Sequence, residues 1–203
     1  MVDLSEPGTG EPVINLRGSL VALGPMHRGL LPLLERWQND LRTVDLGGGD
    51  PQPTTRERIA AEWEPLLRGE RAGWLGFVIY ALPELRPIGI ANVRDFVNCH
   101  GTAEIGITLG EPGDRGKGYG TEALRLLLAY TFEQLPVWNV WLDTAAYNHR
   151  AIRAYERVGF REIGRRRGAR VVGGVRHDVV LMDCTRDDFW RQFRQDGESA
   201  ISG

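Results

Sequence analysis

The sequence is short of cysteine and of long apolar runs. Its 203 residues contain two cysteines, Cys99 and Cys184, which lie far apart and form no CxxC pair. This spacing predicts neither a disulfide framework nor a zinc site, and a reducing cytoplasm is the expected location. No run approaches about 18 uninterrupted apolar residues, and the polar, acidic N-terminus lacks an apolar signal region. We therefore expect no membrane partner.

Charge of one sign is not in excess either. The chain has 25 basic and 27 acidic residues and a net charge of −2, which gives no general attraction to nucleic acid or to an anionic membrane. The length and a hydrophobic content of 42% predict one domain, over residues 13–194. The polar ends, residues 1–12 and 195–203, are predicted to be flexible tails.

A glycine-rich stretch stands at the centre of the chain. It reads Arg115-Gly116-Lys117-Gly118-Tyr119-Gly120 and leads into an amphipathic run that predicts a helix. Glycines at alternate positions let neighbouring backbone N–H groups point at one ligand, and a helix N-terminus adds partial positive charge. This arrangement favours a phosphate or pyrophosphate site, although a plain tight turn before a helix has a similar composition.

The spacing excludes two common nucleotide motifs. A Walker loop requires Ser or Thr after Gly-Lys, whereas Lys117 is followed by Gly118. The dinucleotide fingerprint requires a third glycine where this chain has Thr121. The stretch is therefore interpreted as a phosphate cradle of another kind.

Hydrophobic periodicity divides the rest of the chain into strands and helices without an internal repeat. Strands are predicted at residues 13–23, 74–82, 88–97, 102–109, 137–144, 160–167 and 175–182. Helices are predicted after Pro25, over residues 54–68, from the glycine-rich stretch to residue 135, from Asn148 to Gly159, and over residues 187–193. The Gly- and Pro-rich residues 46–53 are interpreted as a linker or as the mobile wall of a binding site.

The motifs together resemble a known family. A strand AEIGITL, the loop RGKGYG, a further strand and then Asn148 before AIRAYERVGF are similar to the GCN5-related N-acetyltransferases, the GNAT superfamily. These motifs occur in the family's order and spacing across residues 102–182. The opening INLRGSLVALGPM, followed by a helix ending in WQND, resembles the branch that includes ribosomal-protein N-terminal acetyltransferases and spermidine acetyltransferase.

The resemblance implies an α/β (α+β) fold with a mixed, strongly twisted sheet of about seven strands and flanking helices. Its fourth and fifth strands, here residues 102–109 and 137–144, splay apart and admit acetyl-CoA. No metal is implied. Asn148 matches a position that contacts the pantetheine arm in relatives, although a plain helix N-cap explains it equally well. The resemblance assigns acetyl-CoA to the backbone of Ile107, Thr108 and Leu109, to the amides of Arg115, Gly116, Lys117, Gly118, Tyr119, Gly120 and Thr121, and to Asn148.

The implied chemistry is direct attack of a primary amine on the thioester in a ternary complex. Tyr155 matches the family's general acid, whereas periodicity alone favours a core aromatic. Glu104 is either a general base, two residues before an expected strand bulge, or an ordinary polar residue on the open sheet face. A covalent acetyl-enzyme is disfavoured because Cys99 and Cys184 are not predicted to face the thioester.

The acceptor stays open at this stage: a protein N-terminus, a polyamine or an amino sugar. The basic residues of the closing ribbon favour an acidic or neutral amine, or they protect an edge strand. Acidic residues on the second helix favour the opposite preference. A non-catalytic acyl-CoA sensor, a longer acyl donor and a homodimer are further alternatives. The basic residues of the closing ribbon are Arg165, Arg166, Arg167, Arg170 and Arg176, and the acidic residues of the second predicted helix are Glu57, Glu62, Glu64 and Glu70.

Overall fold

The computed structural model describes residues 11–47, 49 and 52–195, and these form one sheet flanked by helices. The predicted tails therefore lie almost wholly outside the described residues. The sheet has eight strands in the order β1-β2-β3-β4-β5-β6-β8-β7. The strands are β1 (Leu16–Arg17), β2 (Val21–Pro25), β3 (Trp74–Ala81), β4 (Arg86–Arg94), β5 (Thr102–Leu109), β6 (Asn139–Ala145), β7 (Arg161–Val172) and β8 (Val175–Thr185).

The sheet has eight strands rather than about seven because the predicted first strand is split. Gly18 donates its backbone N–H to the carbonyl of Val21, which turns the chain between β1 and β2. The Glu122 carboxylate accepts hydrogen bonds from the backbone N–H groups of Ser19 (3.0 Å), Leu20 (2.7 Å) and Val21 (2.7 Å). A contact across about a hundred residues thus fixes a turn that local periodicity does not show.

Six helices lie against the sheet within the described residues. Five of them fall where periodicity and caps predict them, among them the helix His149–Glu156, which follows the Asn148 N-cap. The short helix Leu41–Gly47 was not predicted. It begins after Asp40, whose carboxylate accepts a hydrogen bond from the Thr43 hydroxyl (2.5 Å). Residues 48, 50 and 51 of the predicted loop lie outside the described residues. The helices are α1 (Leu31–Asn39), α2 (Leu41–Gly47), α3 (Arg56–Leu67), α4 (Tyr119–Gln134), α5 (His149–Glu156) and α6 (Arg186–Gln195).

The helices cover the two faces of the sheet unequally. The larger core packs α4, α5 and α6 against one face, with Leu124, Leu127 and Leu128 almost inaccessible. The smaller core packs α1 and α3 against the other face through strand residues of β2 and β3, among them Val78 and Tyr80. Neither α1 nor α3 covers this second face over β5, β6 and β8; α2 approaches β5 and β6 there, and a cavity lies between them. None of the helices in the described part of the chain is long and apolar enough to cross a membrane.

Strands β5 and β6 form a fork, which confirms the predicted splay. They are parallel and pair only at Thr102↔Asn139, Ala103↔Val140 and Glu104↔Trp141. Beyond that point β5 continues beside β4 to Leu109, and β6 continues beside β8 to Ala145. The prediction of a strand bulge two residues after Glu104 was wrong, because β4 and β5 pair without a register shift from Glu104 to Leu109.

A buried carboxylate fixes the turn before the glycine-rich stretch. Asp114 is 4% exposed and accepts two hydrogen bonds from the Arg86 guanidinium, at 2.8 and 2.9 Å. Lys117 Nζ lies 3.3 Å from the same carboxylate. The hydrogen bonds from Arg86 hold the pKa of Asp114 below its ordinary value.

The Asp114–Arg86 pair should contribute to stability. We expect Asp114→Asn to lower the free energy of unfolding by about 2 kcal/mol, less than for a fully buried pair because Arg86 is half exposed. Because the folded pKa is depressed, this contribution is present above the unfolded pKa of about 3.9 and is lost as pH falls through the folded value. Urea unfolding at several pH values measures both effects. Glu162→Gln, in the exposed pair with Arg165, is the control and should leave the free energy of unfolding nearly unchanged. An equal loss in the two variants would contradict a stabilising role of the Asp114–Arg86 pair.

Candidate active site

A cavity of about 480 Å³ lies at the fork. It is lined from both arms: Glu104 to Thr108 of β5 on one side, and Asp143 and Thr144 of β6 on the other. Tyr155 of α5, the outer half of β7 and the end of α2 complete its wall. The strand gap and the open sheet face therefore meet in one space.

Two carboxylates flank the point where the strands part. Glu104 lies in register with Arg94 on β4 and with Trp141 on β6, so the three side chains share the open face. Asp143 lies two residues beyond Trp141 on the same face. Glu104 is ion-paired with the Arg94 guanidinium. Asp143 is exposed and has no recorded side-chain partner among residues 11–47, 49 and 52–195.

Tyr155 enters the cavity from the opposite face. Its ring belongs to the larger core, 5.8 Å from the Phe160 ring, and the residue is 8% exposed. No described residue makes a recorded hydrogen bond to its hydroxyl. Burial, followed by the nearby Asp143 charge, raises the pKa of Tyr155 to about 12. The phenol therefore stays protonated through the neutral range.

The glycine-rich stretch forms the predicted helix N-terminus. Gly116 and Gly118 have φ angles of 81° and 90°, a region that favours glycine, and α4 begins at Tyr119. The first N–H groups of an α-helix have no intrahelical acceptor. Lys117 to Thr121 thus present backbone donors at one end of the helix.

The two basic side chains of this stretch are both paired with protein groups. Arg115 donates to the Thr43 hydroxyl (2.7 Å) and to the Leu109 carbonyl (3.1 Å). Lys117 lies against Asp114. Their guanidinium and ammonium groups therefore fix the loop, and Arg115 also connects it to α2.

The inner edge of β5 offers backbone groups to the gap. Gly110 donates its N–H to the Ile88 carbonyl of the β4 side. In an antiparallel pair the bonded residues alternate, so the backbone of Thr108 points towards β4 and that of Ile107 and Leu109 towards the gap. Thr108 lines the cavity as well.

Three side chains hold the end of α2 across the fork. Arg170 donates to the Val44 carbonyl (3.1 Å), Tyr147 to the Asp45 carbonyl (3.0 Å) and Asn148 to the Leu46 carbonyl (3.3 Å). Asn148 also caps α5 by accepting from the N–H of Ala151. The capping alternative for Asn148 is thus present in the structure, together with a contact to α2 that the sequence did not indicate.

Neither cysteine lines the cavity. Cys184 is buried, which raises the pKa of its thiol to about 12. Cys99 is exposed beside His100 in the β4–β5 connection. Within the described ranges, no group of three or more His, Cys, Asp or Glu side chains is placed to hold a metal ion.

The structure places Glu104 and Tyr155, which were both predicted from the sequence, at one cavity together with Asp143, which sequence reasoning did not single out. The signal was available, because Asp143 is a single acid within the apolar run Val-Trp-Leu-Asp-Thr of a predicted strand. Its importance depends on the fork, which places it at the gap. Arg94 was missed because it reaches the site only by pairing β4 with β5.

Comparison with known proteins gives a consistent family. Residues 22–161 match a family model described as an acetyltransferase (GNAT) domain. The Bacillus subtilis (strain 168) protein "Putative ribosomal N-acetyltransferase YdaF" is 32% identical over 136 residues, which are 67% of this chain and 72% of YdaF. The uncharacterized N-acetyltransferase YokL of the same organism is 28% identical over 102 residues, 50% of this chain and 57% of YokL.

The fold also matches that of a solved enzyme. The spermidine N-acetyltransferase of Vibrio cholerae, solved in complex with CoA and spermine, superposes with a TM-score of 0.77 at 21% identity. The match covers 85% of this chain and 99% of that one. With its sheet, fork and glycine-rich helix N-terminus, the chain belongs to the GNAT acetyltransferase family and is an acetyl-CoA-dependent N-acetyltransferase.

Proposed function

We propose that this enzyme transfers an acetyl group to a primary amine by direct attack while both substrates are bound. The observation that carries the proposal is the pair of groups at the fork. Tyr155 and Asp143 reach one cavity from opposite sheet faces, and no side-chain hydrogen bond or ion pair joins either of them to another described residue. The reaction needs one group that takes a proton and one that donates a proton.

The residues of the gap and cradle fit acetyl-CoA, which supplies the acetyl group as a thioester. The backbone of Ile107 and the N–H of Leu109 would pair with the amide-bearing pantetheine arm, as an added strand would; the Leu109 carbonyl already accepts from Arg115. The amides of Arg115 to Thr121 would hold the pyrophosphate at the N-terminus of α4. Arg115 and Lys117 contribute here through their backbone, because their side chains bind protein groups.

The proposed proton transfers balance as follows. The acceptor ammonium loses a proton to the Asp143 carboxylate, and the free amine nitrogen forms a bond with the thioester carbonyl carbon. When the carbonyl re-forms, the carbon–sulfur bond breaks with its electron pair on sulfur, and the Tyr155 hydroxyl protonates that sulfur. The nitrogen, which is positively charged after the attack, loses its second proton to give the amide, and this proton restores the Tyr155 hydroxyl through solvent. Asp143 releases the first proton to solvent, so that the products are the acetylated amine and the CoA thiol. Glu104 is the alternative proton acceptor, although its pairing with Arg94 favours a structural role at the vertex of the fork.

The two groups are electrostatically coupled. The Asp143 charge is one cause of the high pKa of Tyr155, and a pKa of about 12 disfavours donation to a thiolate whose pKa is about 8.5. When Asp143 takes the ammonium proton, its charge disappears and with it that contribution. Proton uptake by Asp143 therefore makes Tyr155 a stronger acid at the step that requires one.

The names of the relatives refer to two different classes of acceptor amine. YdaF is named for ribosomal acetylation, and the Vibrio cholerae enzyme is named for spermidine. A protein N-terminus, a polyamine and an amino sugar are all primary amines that this chemistry can acetylate. A sensor that does not turn over, the alternative class, would need the cradle but neither Tyr155 nor Asp143 at the gap.

Substitution of Tyr155 tests its proposed role as the general acid. Tyr155→Phe should lower kcat by about 100-fold, the scale of a lost general acid, with acetyl-CoA affinity within about twofold of the parent value. Steady-state CoA release and calorimetry measure the two quantities. Tyr130→Phe, which changes a half-buried tyrosine packed on Phe77, is the matched control and should retain full activity. Unchanged turnover in Tyr155→Phe would remove Tyr155 from the mechanism.

Substitutions of Asp143 and Glu104 show which of the two carboxylates accepts the ammonium proton. Asp143→Asn should lower kcat by about 100-fold and Glu104→Gln by much less. Asp143→Asn should also lower the pKa of Tyr155, because the raising charge is removed. Ultraviolet titration of Asp143→Asn, with and without Tyr155→Phe, assigns the tyrosinate signal. A larger kinetic loss in Glu104→Gln would assign the base to Glu104 instead.

Substitution of Gly118 tests whether the glycine-rich cradle binds the pyrophosphate. Gly118→Glu places a negative charge and strained backbone at the expected pyrophosphate position, so acetyl-CoA affinity should fall by at least about tenfold. Gly113→Glu adds the same side chain five residues earlier, where an added Cβ meets no atom within 4 Å. This control should bind normally by calorimetry. Equal affinity in both variants would show that the pyrophosphate binds elsewhere.

A further inference from the structure

The charges that line the cavity are balanced but separated. The described lining residues include three acids and three arginines: Asp45, Glu104 and Asp143, and Arg94, Arg166 and Arg170. A polyamine with several positive charges is best bound by a net negative site, because like charges repel. This cavity has no such excess.

Among these acids and arginines, the side chains that form no ion pair lie on opposite walls of the cavity. On the β5–β6 wall, Glu104 is neutralised by Arg94, which leaves Asp143. On the β7 wall, Arg166 is exposed and has no recorded hydrogen bond or ion pair to any described residue. Arg170 donates to the Val44 carbonyl, which uses a neutral acceptor and leaves the positive charge near Asp45.

The sheet register fixes the separation of these walls. Arg166 lies opposite Val179 of β8, and Val179 lies opposite Ala145 of β6, two residues beyond Asp143. Two strand spacings and two residues of rise place the Cα atoms of Arg166 and Asp143 about 12 Å apart. Between the guanidinium and the carboxylate there is room for a short molecule with a charge at each end.

The outer end of β7 closes this space. A register shift between Arg166 and Arg170 bends the strand, and Gly168, with φ of 57°, donates its N–H to Asp178 (2.9 Å). Arg170 then reaches α2 across the cavity. A volume of about 480 Å³, shared with the acetyl end of the donor, suits a small acceptor.

We infer that the acceptor is a small zwitterionic amine, whose ammonium group binds at Asp143 and whose anionic group, a carboxylate or a phosphate, binds at Arg166 and Arg170. This inference rests on the proposed acetyl transfer. Arginine presents a planar fork of donors that matches both anions. The arrangement orients the amine towards the fork and selects against polyamines.

The experiment compares acceptors that differ only in the anion. CoA release is measured for amino acids against their carboxamides, for phosphoethanolamine against ethanolamine, and for spermidine and peptides with an acidic first residue. The anionic member of at least one pair should have a kcat/KM at least about tenfold higher. The carboxamide is the weaker base, so more of its amine is free at a given pH, and a preference for the acid cannot come from amine reactivity.

A matched pair of variants assigns the effect to Arg166. Arg166→Glu should lower kcat/KM for anionic acceptors by at least about tenfold, mainly through KM, and should leave carboxamides within about twofold. Arg167→Glu makes the same change at an exposed neighbour that does not line the cavity, and it should affect neither group. An equal loss for all acceptors in Arg166→Glu would indicate a structural role and overturn the inference.

The remaining outcomes separate this inference from the proposed function. If spermidine, carboxamides or peptides are the best substrates and Tyr155→Phe slows them, acetyl transfer stands and the zwitterionic acceptor is wrong. If no member of the panel releases CoA, both proposals fail. Preference within the carboxylate and phosphate pairs identifies which anion the arginines bind.

Discussion

The early separation of β5 from β6 is the constraint on which the site depends. Each strand stays paired on its outer side, so the sheet remains continuous while its centre opens. The inner edges then carry backbone N–H and C=O groups without a strand partner, and such groups require hydrogen bonds from elsewhere. An extended, amide-bearing arm is well suited to supply them. The fork thereby creates both the cavity and the unpaired edge groups on which the proposed acetyl-CoA site depends.

Contacts between distant parts of the chain fix the glycine-rich stretch beside that opening. Glu122, in the first turn of α4, binds three backbone N–H groups at the β1–β2 turn, and Asp114 binds Arg86 of β4. Arg115 connects the cradle to Thr43 of α2. These polar contacts therefore place the N-terminus of α4 relative to β2, β4 and α2.

The two faces of the sheet divide the proposed chemistry. Tyr155 comes from the helix-covered face, where burial keeps its phenol protonated. Asp143 and the arginines come from the open face, where charged groups stay hydrated and can meet an acceptor. Such a division separates the group that must keep its proton from the group that must accept one, and a single charge couples them across the gap.

Local signals were enough for much of the fold. The glycines at 116 and 118 have positive φ, Asn148 caps a helix, a continuous apolar run marks β3, and alternating apolar residues mark β5. These features depend on residues close in sequence, so the order of strands and helices, the cradle and the position of Tyr155 followed from the sequence and the family resemblance.

Other features depend on residues that meet only after folding. The β1–β2 turn needs Glu122, the end of α2 needs Tyr147, Asn148 and Arg170, and the Glu104–Arg94 pair needs the β4–β5 register. The prominence of Asp143 likewise comes from the fork. By itself the sequence determined the local elements and the family, because their signals lie within a few residues. The tertiary structure alone decided which charges are paired and which line the cavity, because those contacts join segments many residues apart.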